Sequence, residues 1–101
     1  MLQFRKDQWK GNKRASIDIW PNDATYFPRI LAHLSCSYGF PLPQIIDLID
    51  GYAADFRLLS SDATIHIDSY TFSIAFADEA VRDRVLADLQ ALASDYFETT
   101  P

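Results

Sequence analysis

The sequence predicts an α+β protein, a two-layer sandwich with two helices on one face of an antiparallel sheet of about five or six strands. Two segments repeat apolar residues with helical spacing, and three consecutive segments alternate apolar with polar residues so that their apolar faces coincide. A Gly-Asn pair near the start separates two further strand-like segments. Such helices and a one-sided sheet bury their apolar faces against each other. The predicted order is β-β-α-(β)-β-β-β-α, where the bracketed segment fits a strand or a helix.

Length and composition indicate one domain, residues 1–98, with a hydrophobic core and a frayed tail at residues 99–101. The chain has 101 residues, 49% of them hydrophobic, which excludes a wholly disordered protein. Its single cysteine excludes a disulfide scaffold, and the sequence lacks the Cys/His clusters of structural zinc modules. Apolar runs are far shorter than the ~20 residues of a membrane span, and no secretory signal is visible. We therefore expect a cytoplasmic protein.

The charge is distributed unevenly along the chain, whose net charge is −5. Residues 1–14 carry five basic and one acidic side chain, a net of +4, whereas residues 15–101 carry four basic and thirteen acidic ones, a net of −9. An acidic body repels nucleic acid, because that binding depends on neutralising phosphates. It favours basic partners. We therefore expect a basic protein as partner, and neither nucleic acid nor a membrane.

The first two strands are predicted from the hairpin signal Gly11-Asn12. Pairing the flanking segments about this loop places apolar residues of both strands on one face. Lys6 falls on that apolar face, which suits an outer strand where the ammonium group reaches water. The register gives three further pairs: Phe4 with Ile19, Arg5 with Asp18, and Trp9 with Arg14.

Two helices are predicted from apolar residues at i, i+3, i+4 and i+7. The first begins at Asp23 or Thr25, ends at Tyr38 and is closed by Gly39. The last begins at Asp78 as N-cap and includes an Asp78–Arg82 pair at i, i+4. The first buried stripe consists of Phe27, Ile30, Leu31, Leu34 and Tyr38. The last consists of Val81, Val85, Leu89, Leu92 and Tyr96.

Residues 44–49 fit a short helix ended by Gly51 or a buried strand. In the second interpretation, Asp50-Gly51 forms a type I′ turn into a strand that begins at Tyr52. Asp-Gly between apolar segments favours the strand.

The next three strands are predicted as a meander with tight turns at Ser60-Ser61 and Asp68-Ser69. Two independent turns then give one continuous apolar face, which supports the assignment because a slip of one residue would scramble it. The opposite face is polar and is expected to meet water. The register gives four pairs that matter below: Ala54 with Ile67, Ile67 with Tyr70, Asp55 with His66, and Arg57 with Thr64.

The search for chemistry finds one acid–base candidate, His66 oriented by Asp55, with Ser73 and Thr64 on the same face. That face is open and has no predicted cleft, so an exposed His–Asp pair is the favoured interpretation and no catalytic residue is assigned. Cys36 lies near a helix C-terminus, where the helix dipole disfavours a thiolate. The aspartates lack the spacing of a calcium loop. We therefore expect neither a metal nor a cofactor.

Surface residues carry the functional hypothesis. Large aromatics at element ends are the side chains that dominate interface hot spots, and acidic groups speed association with a basic partner. We expect a non-enzymatic interaction protein, such as an inhibitor or immunity-type neutraliser of a basic partner. The candidate binding residues are Trp20, Phe40, Asp47, Asp50, Tyr52, Asp55, Asp62, His66 and Asp68.

Two alternatives remain open. One is a small-ligand module whose pocket lies between sheet and helices. Its predicted lining is Phe27, Tyr38, Phe56 and Tyr70. The other is a hydrolase-like enzyme that uses His66 and Asp55.

Overall fold

Residues 2–98, which the computed structural model describes, form a six-stranded antiparallel sheet with two helices on one face. The strand order is β1-β2-β6-β5-β4-β3, so β1 and β3 are the two edges. The predicted α+β architecture is therefore confirmed. The predicted tail at residues 99–101 lies outside the described residues. The strands are β1 (Gln3–Gln8), β2 (Ala15–Trp20), β3 (Ile46–Asp47), β4 (Tyr52–Leu58), β5 (Ser61–Ile67) and β6 (Phe72–Phe76). The helices are α1 (Tyr26–Tyr38) and α2 (Glu79–Gln90).

The core lies between the helices and one face of the sheet, which we call the helix face. Most residues of the two predicted helix stripes point into it, and each buried aliphatic or aromatic side chain contributes about 1.5–3 kcal/mol. The other face carries no helix and is called the open face. The helical core residues are Tyr26, Phe27, Ile30, Leu31, Leu34, Val81, Val85, Leu86 and Leu89. The core residues from β2, β5 and β6 include Ile17, Ile19, Ala63, Ile65, Ile67, Phe72, Ile74 and Phe76.

The predicted register of the first hairpin is confirmed. Arg5 pairs with Asp18 across the strands, and their side chains form an ion pair at 3.3 Å. The N–H of Trp9 donates to the carbonyl of Arg14 at 2.9 Å. Lys6 lies on the edge strand β1 and is exposed. This agrees with the prediction that a lysine on the apolar side needs an outer strand from which its ammonium group can reach water.

The predicted register of β4 and β5 is wrong by two residues. The turn is formed by Leu59 and Ser60, both with positive φ (48° and 65°), as a type I′ turn requires, instead of by Ser60-Ser61. Ser61 is buried in β5, where its hydroxyl accepts from the N–H of Asp78 at 3.1 Å. Asp55 consequently lies opposite Thr64 and not opposite His66.

The register of β5 and β6 is also shifted by two residues. The turn spans Asp68 to Thr71, because the Asp68 carboxylate accepts from the N–H groups of Tyr70 and Thr71, both at 2.8 Å. Tyr70 is therefore drawn out of the ladder, and Ile67 pairs with Phe72. A shift of two preserves the face of every side chain, so the predicted continuous apolar face is correct although its pairs are not.

The segment before β4 is a strand, but a short and exposed one. β3 pairs with β4 through two residues, and both are exposed instead of buried. The N–H of Leu48 bonds to the carbonyl of Gly51 at 2.9 Å, so the turn is centred on Ile49 and Asp50. A Cβ at Gly51 would lie 1.8 Å from the Ile67 carbonyl oxygen. The backbone of β5 therefore approaches this position too closely for any residue with a side chain.

The ends of the helices differ from prediction in two ways and agree with it in two others. Thr25 occupies the N-cap position of α1 without a side-chain cap, whereas Gly39 closes the helix at φ 72° as predicted. α2 has its predicted cap, because the Asp78 carboxylate accepts from the Ala80 N–H at 2.9 Å. It ends at Gln90, however, so Tyr96 is exposed outside the helix and Phe97 fills the core instead.

Arg82 is a further correction, because it is only 2% exposed and does not form the predicted pair with Asp78. Its guanidinium donates to the carbonyls of Asp7 and Ser16 at 2.8 and 3.2 Å and to the Asp83 carboxylate at 2.7 Å. α2 is thereby tied to the first two strands.

No helix formed by residues 2–98 is long and apolar enough to cross a membrane.

Candidate functional site

Three connections meet at one end of the sheet, which we call the acidic end: residues 20–25, 46–52 and 67–71. They meet because β2 and β5 end where β4 and β6 begin. These residues contain four carboxylates and no Lys or Arg, so the local potential is negative. The carboxylates belong to Asp23, Asp47, Asp50 and Asp68.

A cleft of about 700 Å³ opens at the acidic end. The side chain of Asn22 donates to the backbone carbonyl of Asp68 at 3.0 Å, and the Ser69 N–H donates to the Asp50 carboxylate at 3.3 Å. These bonds connect the three segments across the cleft. The lining includes Asn22, Asp47, Asp50, Tyr52, Asp68 and Ser69.

An exposed apolar segment borders this cleft. Residues 42–49 contribute five exposed aliphatic side chains along the sheet edge formed by β3, and we call this segment the apolar edge. Tyr70 in the β5–β6 turn is 89% exposed, and Trp20 at the end of β2 is 58% exposed. Leu48 and Ile49 line the cleft itself, and exposed apolar side chains beside a cleft are typical of interaction sites. The aliphatic members are Leu42, Ile45, Ile46, Leu48 and Ile49.

His66 has a carboxylate partner other than the predicted one. Its Nε2 lies 2.9 Å from Oδ2 of Asp68, whereas Asp55 accepts a hydrogen bond from the Thr64 hydroxyl at 2.6 Å. The bond from His66, together with the Tyr70 and Thr71 N–H groups, holds the pKa of the Asp68 carboxyl well below its usual range. Asp68 is therefore ionised at neutral pH. The predicted His66–Asp55 pair is wrong.

Trp9 covers part of the open face. Its indole N–H donates to the Ser73 hydroxyl at 3.0 Å, and its ring packs edge-on against His66 with centroids 6.4 Å apart. Ser73 and Ser16 are buried although the open face carries no helix, so the prediction that this face meets water is only partly correct. A groove of about 630 Å³ lies beside Trp9, with Asp18, His66 and Ser73 in its lining.

Ser73 lies directly opposite His66, yet the two do not form a nucleophile–base pair within the described part of the chain. An activated serine donates its hydroxyl proton to the imidazole of the base. Here the Ser73 hydroxyl accepts from Trp9, and residues 2–98 show no hydrogen bond between Ser73 and His66. The arrangement is that of a polar cluster covered by an aromatic ring.

The nine predicted binding residues are only partly brought together. Four of them line the cleft at the acidic end: Asp47, Asp50, Tyr52 and Asp68. Phe40 stacks on Phe56 with centroids 4.8 Å apart and is half-buried against the core. Asp62 pairs with Arg57 at 2.9 Å near the opposite end of the sheet.

Trp20, Asp55 and His66, the remaining three, lie on the open face of the sheet. Their strand positions alternate with core residues, which places their side chains away from the helices.

The predicted small-ligand pocket is not formed by the predicted residues. Phe27 and Phe56 are packed in the core, whereas Tyr70 lies on the surface in the β5–β6 turn. The Tyr38 hydroxyl donates to the Asp88 carboxylate, which links the two helices. Burial raises the pKa of the Tyr38 phenol, so it remains a donor at neutral pH.

Sequence reasoning missed Trp9 and Arg82. The side chain of each donates to a residue more than sixty positions away along the chain, and no local spacing indicates those bonds. The hairpin next to Trp9 is basic, since residues 9–14 carry Lys10, Lys13 and Arg14 and no carboxylate. The structure therefore separates a basic hairpin from the acidic end.

Among residues 2–98, no three His, Cys, Asp or Glu side chains are grouped so that they could hold a metal ion. Comparison with protein-family models, with curated proteins and with solved structures finds no match to this chain. Its function is therefore inferred from the chemistry of its own surface.

Proposed function

We propose that this chain is a non-enzymatic interaction module, such as an inhibitor or immunity-type neutraliser, that binds a basic protein through its acidic end. The observation that carries the proposal is the coincidence of four carboxylates with exposed apolar side chains at one end of the sheet. Neither feature alone is unusual on a protein surface. Together they combine the two properties of a binding surface for a cationic partner.

The two features have different roles in association. Asp47, Asp50 and Asp68 attract a basic surface over roughly 8–10 Å at physiological salt, which raises the association rate. Exposed Ile49 and Tyr70 then lose contact with water in the complex, which lowers the dissociation rate. The cleft keeps its shape through hydrogen bonds between the loops, so little ordering is required on binding.

We place this binding in the cytoplasm. Cys36 is an exposed free thiol, which is compatible with a reducing compartment.

The proposal is tested by affinity capture from native lysate with the purified chain. A triple variant, Asp47→Asn with Ile49→Ser and Asp50→Asn, removes two charges and one exposed aliphatic side chain from the acidic end. We expect a basic protein that is retained by the unchanged chain and lost by this variant. Capture should also weaken as salt is raised from 0.1 to 0.5 M, because screening shortens the reach of the carboxylates.

The matched control changes the same residue types elsewhere. Asp55→Asn with Leu59→Ser and Asp62→Asn removes equal charge and one exposed aliphatic side chain away from the acidic end. This control should retain the partner. The proposal is contradicted if both triple variants retain the same amount of partner, or if the captured partner is acidic. It is also contradicted if the unchanged chain captures no protein that the acidic-end variant does not capture as well.

A small-ligand module is the second candidate, and the groove beside Trp9 is the observation that favours it. The groove combines an aromatic ring with the His66 imidazole and the Asp18 carboxylate. A thermal-shift screen separates the two functions, because a small ligand stabilises the folded chain by mass action. Under this second function, Trp9→Ala abolishes the shift and the acidic-end variant leaves it unchanged.

A further inference from the structure

The backbone of the edge strand β3 has an N–H and a C=O for which residues 2–98 provide no partner. Leu48 and Gly51 form a hydrogen-bonded pair, and bonded pairs alternate along an antiparallel ladder. Ile46 with Ala53 is therefore the next bonded pair, and the N–H and C=O of Asp47 point away from β4. Since β3 is the last strand, these groups face outwards.

The two edges of the sheet differ in how they are protected. On β1, every residue except Phe4 is polar, and exposed charges such as Arg5 and Lys6 are the usual means of preventing strand addition. On the β3 side, the flanking residues are exposed aliphatics of the apolar edge, and Asp47 is the single charge within the strand. The two-residue length of β3 limits its outward hydrogen-bonding groups to those of Asp47. These groups can pair with another strand, and the carboxylate beside them favours a basic residue on that strand.

We propose that β3 accepts an extended segment of the basic partner as an added strand, in which Lys or Arg alternates with aliphatic residues. Asp47 lies on the helix face beside Tyr52, and Ile46 lies on the open face beside Ala53. The added strand thus places a basic residue beside Asp47 and aliphatic neighbours beside Ile46. This inference rests on the proposed function and specifies how the acidic end recognises its partner.

A second copy of this chain is a poorer occupant of the same edge. Antiparallel pairing of β3 with β3 about a two-fold axis brings Asp47 of one copy next to Asp47 of the other. Like charges in neighbouring positions destabilise a strand pair. Charge complementarity therefore selects a basic partner.

The inference is tested with two substitutions at one residue. Asp47→Ala removes the carboxylate and keeps the N–H, whereas Asp47→Pro removes both. The N–H at this position points away from β4, so proline leaves the β3–β4 pairing intact, as it does on natural edge strands. The probe is an eight-residue peptide of alternating Lys and Val, and a peptide of identical composition in the order Lys-Lys-Val-Val is the control.

Binding is followed by NMR titration of the labelled chain. We expect the alternating peptide to shift the Asp47 amide resonance and to slow its hydrogen exchange. Asp47→Ala should weaken binding several-fold, and Asp47→Pro should weaken it about tenfold further, as loss of a backbone hydrogen bond predicts. If the proline variant does not fold, the hydrogen exchange of the Asp47 amide in the unsubstituted chain still tests the inference, because strand addition must slow it and other binding modes need not.

The outcomes separate this inference from the proposed function. Equal weakening by both substitutions, or equal binding of the two peptides, overturns strand addition while leaving the acidic end as the binding site. Undiminished binding by both variants and by the acidic-end triple variant overturns both proposals. Concentration-dependent self-association that Asp47→Pro abolishes identifies a second copy as the occupant and also overturns the inference.

Discussion

Asp68 joins the end of β5 to the turn that follows it, because one oxygen of its carboxylate accepts from His66 Nε2 at 2.9 Å. The other oxygen accepts from the N–H groups of Tyr70 and Thr71, both at 2.8 Å. One carboxylate at the acidic end thus accepts hydrogen bonds from a strand side chain and from two backbone N–H groups of the turn. The same bonds hold the pKa of the Asp68 carboxyl low.

Substituting Asp68 by Asn should lower the free energy of unfolding by about 1–2 kcal/mol at pH 7, as expected for charge-assisted hydrogen bonds that become neutral. An amide oxygen still accepts from the turn, so the fold is retained. Because the folded-state pKa of Asp68 is lower than its unfolded value of roughly 3.9, its contribution is present above that pH and is lost on further acidification. Urea titrations at pH 7 and pH 3 should therefore show a smaller difference between Asp68→Asn and the unsubstituted chain at pH 3.

Asp62→Asn is the control for this prediction. Asp62 pairs with Arg57 at the surface, where such pairs contribute at most about 1 kcal/mol. A cost for Asp68→Asn that stays constant between the two pH values contradicts the role assigned to its charge.

In the sheet, the local sequence pattern predicts which face each residue occupies, but not which residue it pairs with. Alternation with period two defines the face of each residue, and that face was predicted correctly for the residues that lie in β4, β5 and β6. Tyr70, predicted on the apolar face, lies outside the ladder and is exposed. The partners were not predicted correctly, because Leu59 adopts a positive φ and Asp68 draws Tyr70 into the turn. Both shifts were of two residues, which changes the pairs and preserves the faces.

The candidate site was predictable in part for the same reason. Asp47 precedes a turn that contains Asp50, and Asp68 begins another, so a correct meander places all three at one end of the sheet. The exposure of residues 42–49 was not predictable, since aliphatic residues next to a strand usually indicate burial. The contacts of Arg82 depend on the packing of α2 against β1 and β2, which no local spacing encodes.

Gly51→Ala should be strongly destabilising. The added Cβ would lie 1.8 Å from the Ile67 carbonyl oxygen and 2.7 Å from its carbon, so β4 and the turn before it must move. We expect a loss of more than about 2 kcal/mol in the free energy of unfolding, as for other changes that force backbone displacement. Chemical denaturation measures it.

Gly11→Ala is the matched control, because nothing lies within 4 Å of a Cβ at that position in the hairpin. Its effect should stay within about 0.5 kcal/mol. Equal effects of the two alanine substitutions would show that the close approach at Gly51 is not limiting.

Arg82→Met should destabilise the chain by about 2–4 kcal/mol. Methionine fills much of the volume but leaves the carbonyls of Asp7 and Ser16 without their buried donor. Arg84→Met is the control, since Arg84 is exposed and lies 3.6 Å from Asp88 in a helical pair that contributes only tenths of a kcal/mol. Thermal and urea unfolding of both variants should separate them clearly, and similar losses would contradict the anchoring role of Arg82.

His33 should make stability fall as the pH drops below neutrality. Its ring packs against Tyr96 and Phe97, and Nδ1 lies 2.9 Å from the Tyr96 hydroxyl. Burial lowers the pKa of His33, so the unfolded chain, with a value near roughly 6.5, binds a proton first as the pH falls. The free energy of unfolding then decreases from about pH 6.5 down to the lower folded-state pKa.

His33→Asn should flatten this part of the pH profile between pH 7.5 and 5, measured by urea denaturation. Ser37→Ala, which removes a hydroxyl 3.4 Å from Nε2 and leaves the half-buried ring in place, should retain the slope. An unchanged slope in His33→Asn would assign the pH dependence to other groups.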